Sequence, residues 1–120
     1  MERGAFHCGE WASGPVWIAH TFVERLTGLR FSSDGYGMLI GGRSVHSFGL
    51  REPLLVIGLG QGRTVIGHRI LTPHRVVWIP RAREMLELPL SVLPPLQGAV
   101  LTWARGGSTD PVRNTHRQPE

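Results

Sequence analysis

The sequence predicts a mainly β domain, a small compact barrel or sandwich of about eight short strands with one short helix near the N-terminus. Three observations point there. Sixteen glycines and nine prolines in 120 residues favour many turns over long helices. Hydrophobic residues make up 41% and charged residues 18%, the balance of a globular body. Short apolar or alternating runs recur between turn residues from residue 37 to residue 103.

In chain order, residues 1 to 15 contain Gly4, Gly9, Gly14 and Pro15 and read as a loose leader pinned by Trp11. The run V-W-I-A-H at 16 to 20 is a short strand. Thr21 then caps a helix, with Glu24 three residues on completing a capping box. Phe22, Leu26 and Leu29 share a helical face, and Gly28 suits its end.

From residue 37 the pattern is strand, turn, strand. G-M-L-I at 37 to 40 precedes a Gly41-Gly42 turn, S-V-H-S-F-G-L at 44 to 50 alternates, and L-L-V-I-G-L at 54 to 59 is a buried type of run. The G-Q-G-R turn at 60 to 63 leads into T-V-I-G-H-R-I at 64 to 70 and forms a hairpin. R-V-V-W-I at 75 to 79, E-M-L-E-L at 84 to 88 and G-A-V-L-T-W at 98 to 103 supply further strands. Residues 105 to 120 are too polar for a core and read as a disordered tail, leaving one domain over 16 to 104.

The order of these motifs resembles the DUF192 (UPF0127) family of small prokaryotic domains of unassigned biochemical function. The resemblance is carried by E-R-L-T-G-L at 24 to 29, G-M-L-I at 37 to 40, S-V-H-S-F-G-L-R-E-P-L at 44 to 54, the Gly62-Arg63 turn, L-E-L-P at 86 to 89 and the G-A-V-L strand. It spans roughly residues 16 to 102 and implies a compact, mainly β domain with a short helix near its start. The chain departs from the family pattern where P-L-D is usual: Leu55 replaces the acid, and the following turn is shorter. An activity needing that acid is therefore not expected here. At 44 to 51 the chain is similar to a branch of the family with a form like S-V-H-T-F-G-M-R. Members of that branch can be encoded beside pilus or secretion components, and this resemblance implies a protein partner of that kind.

Charge and cysteine content narrow the function classes. All 13 cationic side chains are arginine, for a net charge of +4, and they are spread along the chain rather than focused as in a nucleic-acid reader. The single cysteine, Cys8, rules out an internal disulfide. No apolar h-region marks the N-terminus and no run approaches a membrane span, so a cytoplasmic protein is expected. No cofactor is expected: Gly58, Gly60 and Gly62 alternate but lead into a strand, where no helix N-terminus awaits a phosphate. A G-x-S-x-G nucleophile elbow is absent.

The leading site is the 44 to 52 edge, with His46, Phe48 and Arg51 as ligand- or partner-binding residues. A neutral imidazole can move a proton near pH 7, and an arginine fork can hold a carboxylate or phosphate. In the opposing structural reading, His46 packs beside Phe48 and Arg51 is a solvated turn residue. His46, His68 and His74 are weak candidates for a three-imidazole metal site, since their spacing does not demand one. Trp17 and Trp78 lie in apolar runs and are expected in the core, whereas Trp11 and Trp103 cap the barrel or face a partner. Arg69, Arg75, Arg81 and Arg83 form a basic arc suited to an acidic partner or nucleic acid, or else are solvated strand and turn charges. With only Glu24, Asp34, Glu52, Glu84 and Glu87 as carboxylates in the body, a non-catalytic binding module for a protein partner is favoured. The alternative is a small enzyme or anion-binding protein using His46 as acid or base and Arg51 as clamp.

Overall fold

The computed structural model describes residues 2–19, 37–42, 44–46, 52–73 and 75–106. Among them lie nine strands: β1 (Glu2–Cys8), β2 (Trp11–Ala19), β3 (Gly37–Gly41), β4 (Ser44–His46), β5 (Leu54–Leu59), β6 (Val65–Leu71), β7 (Val76–Trp78), β8 (Glu84–Pro89) and β9 (Thr102–Arg105). The expected helix at 21 to 29, Phe48, Arg51 and His74 lie outside the described residues, as does the tail from 107 onward.

Seven strands form one mixed sheet in the order β6-β5-β8-β3-β2-β1-β9, with β4 and β7 paired separately as a two-stranded ribbon. All neighbours in the large sheet are antiparallel except β2 and β3, which run parallel with Val16 opposite Gly37. The two outer strands then come together. Thr64 bridges Val100, the Val65 N–H donates to the Ala99 carbonyl at 2.8 Å, and the Leu101 N–H donates to the Arg63 carbonyl at 3.0 Å. These bonds join the start of β6 to the segment entering β9, so the sheet curls into a small barrel at that end.

Alternation along each strand builds two apolar layers. Inside the barrel, Phe6, Val16, Leu39, Leu55, Ile57, Leu86, Leu88 and Leu101 are buried together. On the other side, Met38, Ile40, Leu54, Val56, Leu71 and Met85 pack against Ile79 and Ala82 from the segment after β7. The L-L-V-I-G-L run is buried at every position because both faces of β5 are covered. This explains its unbroken hydrophobicity. Glu87 is also buried, opposite Met38 and Val56 in the strand register.

The structure corrects the expected leader. Residues 2–15 are β1 and the first part of β2, an antiparallel hairpin turned at Gly9-Glu10. Its glycines and Pro15 had suggested irregular chain, but Gly4 lies beneath the Trp103 ring where a side chain would clash. A register shift between Ala5 and His7 accommodates the irregularity across from Ser13 and Gly14, and the Ser13 hydroxyl accepts from the Phe6 N–H at 2.9 Å. The far end shifts too: Arg105, assigned to the tail by composition, ends β9, and the Gly106 N–H bonds the Arg3 carbonyl.

Candidate functional site

Two regions gather side chains with chemical potential. The first is the ribbon that carries the leading sequence candidate. His46 pairs with Val76, Val45 with Val77 and Ser44 with Trp78, so the 44–46 stretch is held directly beside β7. Val77 turns toward the body and packs on the outer apolar layer. Its neighbours Val76 and Trp78 are 62% and 58% exposed. This overturns the expectation that Trp78 is a core residue. A three-residue strand in a two-stranded ribbon has one covered face, and alternation leaves its other face in solvent.

Past the ribbon the chain reverses at 79–82, where the Ala82 N–H donates to the Ile79 carbonyl at 3.1 Å. Pro80 occupies the first central position and Arg81, with φ of 73°, the second. This is the arrangement of a type II turn, whose second central residue is normally glycine. Arg81 and Arg83 are both exposed, and neither side chain forms a hydrogen bond or ion pair among the described residues.

The second region, at one mouth of the barrel, was not singled out as a site by the sequence. It is a groove of about 440 Å³ lined by Glu2, Ile18, Leu39, Arg63, Glu84 and Trp103. These come from the start of β1, the end of β2, β3, the turn before β6, the start of β8 and β9. In that turn Gly62 and Arg63 both take positive φ, 67° and 60°. The tight reversal aims the Arg63 side chain across the mouth. Its Nε donates to Glu84 Oε1 at 3.1 Å and its Nη2 to Oε2 at 3.2 Å, a two-point grip. The guanidinium carbon also lies 5.2 Å from the centre of the Phe6 ring.

Opposite, Glu2 accepts from the Trp103 indole N–H at 3.2 Å and pairs with Arg105 Nε at 3.3 Å. The Trp103 and Phe6 rings meet at 4.9 Å between centroids, tilted by 56°. The mouth's charged groups are thus committed to one another, and the arrangement acts as a clasp where β1, β8, β9 and the β5–β6 turn converge. The sequence did mark the Gly62-Arg63 turn. What it lacked was a link to Glu84, which β8 brings beside the β5–β6 turn by pairing with β5, and to Glu2 on β1.

The remaining sequence candidates are dispersed. His68 is exposed on β6, in the large sheet, whereas His46 is on the ribbon. Among the described residues no group of three His, Cys, Asp or Glu side chains is placed to hold a metal ion. Cys8 is a half-buried free thiol packed against the barrel interior. Trp11 and Trp103 are half-buried rather than presented outward, and the Trp11 indole N–H donates to the Leu93 carbonyl at 2.7 Å. Of the two roles expected for them, capping the barrel is the one they fill. Trp17 is half-buried with the Arg3 guanidinium 5.7 Å from its ring. No described helix is long and apolar enough to cross a membrane.

No family model matches the chain, and neither a curated protein nor a solved structure matches it.

Proposed function

We propose that the chain is a non-catalytic binding module of the DUF192-like type that engages a protein partner through the β4–β7 ribbon. The observation that carries this reading is the exposure of Val76 and Trp78 side by side with the 44–46 strand. Tryptophan exposed on a rigid element is the kind of side chain that anchors protein interfaces, because it contributes a large contact area and loses little conformational freedom. The resemblance supports the same reading, since the 44 to 54 stretch is the family's most characteristic segment and the branch is associated with pilus or secretion components. The half-buried single thiol suits a cytoplasmic setting.

In-cell photo-crosslinking tests it, with a benzophenone side chain placed at Val76, at Trp78 and, as a control, at exposed Leu96. A discrete adduct from positions 76 and 78 that is absent from position 96, and is lost in a folded His46→Ala, Arg51→Ala variant, is the expected result. Equal labelling from all three positions would remove the ribbon as the partner face.

A further inference from the structure

Resting on the assignment of the ribbon as the docking face, we infer that its partner is an acidic polypeptide segment that also bears an apolar side chain. Between residues 53 and 83 the chain contains five arginines and no carboxylate. Arg69, Arg75, Arg81 and Arg83 from this run are all exposed, as are Val76 and Trp78. Chain connectivity keeps the central part of this surface small: residues 75 to 81 span at most about 20 Å even when extended. Within it, cations flank the apolar pair on both sides. Among the described residues Arg81 and Arg83 meet no carboxylate, since Glu84 is gripped by Arg63 and Glu87 is buried. Glu52 is the exposed carboxylate just ahead of β5.

The Arg81 backbone supplies a second, independent observation. A left-handed φ is costly for any residue with a Cβ, and such positions persist where the side chain is useful. At Arg63 the side chain is held within the chain by Glu84 and Phe6. At Arg81, three residues past Trp78 in the chain, no such contact exists among the described residues and the side chain is exposed. A partner carboxylate supplies the missing counterpart. The apolar side chain of the partner seats on Val76 and Trp78, and its acids meet the exposed arginines of this run, Arg81 and Arg83 first. Arginine with tryptophan is the composition enriched at the centres of protein interfaces, whereas a nucleic-acid track needs a longer continuous basic groove with several stacking rings.

Selection of a random dodecapeptide phage library on the immobilised full chain tests the inference. Enriched peptides are expected to be net negative with at least one aromatic or large aliphatic residue. Their affinity should fall about tenfold for Trp78→Ala and for Arg81→Gly, and should weaken as salt is raised. Arg81→Gly relieves the turn, so its melting temperature should hold or rise while binding is lost, which separates recognition from unfolding. Neutral or basic peptides that still depend on Trp78 would overturn the acidic partner but keep the ribbon. Peptides indifferent to Trp78→Ala, or no enrichment, would overturn both. A single-stranded oligonucleotide that binds at Trp78 more tightly than every selected peptide would replace the inference with nucleic-acid binding.

Discussion

The Arg63 guanidinium grips both oxygens of Glu84 while lying 5.2 Å from the Phe6 ring centre, and so ties the β5–β6 turn to β8 and β1 at once. The pair is only partly buried, with side chains about one-third exposed, so solvent screens part of the attraction. Arg63→Ala should cost about 1–2 kcal/mol in urea denaturation, combining loss of the bidentate bond and of the ring contact. Arg63→Gly deletes the same contacts but suits the φ of 60°, so it should be the milder change by about 0.5–1 kcal/mol. If the two variants melt alike, strain at this turn contributes little.

Gly37 illustrates how tightly β3 fits between its neighbours. A Cβ there would stand 2.7 Å from the Glu87 carbonyl oxygen and 2.6 Å from Leu88 Cδ2. The carbonyl belongs to the β8 ladder and cannot move independently, so Gly37→Ala should destabilise by about 2 kcal/mol or more. At Gly41, four residues along the same strand, a Cβ meets nothing within 4 Å and φ is not left-handed. Gly41→Ala should therefore be neutral, or stabilising by up to about 1 kcal/mol through the unfolded chain. Equilibrium denaturation of both variants side by side checks the contrast.

The N-terminal hairpin is part of the fold rather than an appendage. β1 pairs with both β2 and β9, and Phe6 from its middle is fully buried in the barrel. Phe6→Ala should cost about 3–5 kcal/mol, a large fraction of the stability of a domain this size. Removal of residues 1–9 also strips β9 of its partner and should abolish cooperative thermal unfolding monitored by circular dichroism. A shortened chain that melts like the parent would restore the loose-leader reading.

The fold class was legible because it rests on local signals. L-L-V-I-G-L is apolar throughout and E-M-L-E-L is bounded by turns, and each became a strand within a residue of its expected limits. Signals failed where burial depends on distant chain. Gly4 looks like a loop residue until Trp103, almost a hundred positions away, is laid over it. V-V-W looks like core until it is found in a ribbon with one covered face. Glu84 reads as an ordinary strand residue, and its pairing with Arg63 follows from two strands meeting across β5, which no periodicity in either segment encodes. The ribbon itself was partly foreseen, since 44 to 52 was singled out, but the apolar anchor beside it came from β7.

Trp78, expected in the core, is exposed, whereas Trp103 caps the barrel, and their truncations should diverge accordingly. Trp103 packs on Phe6, covers Gly4 and donates its indole N–H to Glu2, so Trp103→Ala opens the barrel mouth and leaves Glu2 with Arg105 alone. A loss of about 2–4 kcal/mol is expected. Trp78 is 58% exposed on the ribbon, where its removal leaves the apolar layer beneath Val77 intact. Trp78→Ala should change stability by no more than about 0.5 kcal/mol. Urea denaturation followed by far-ultraviolet circular dichroism measures both without relying on the deleted chromophore. A costly Trp78→Ala would mean that the indole supports the ribbon, and its exposure would then no longer favour a partner.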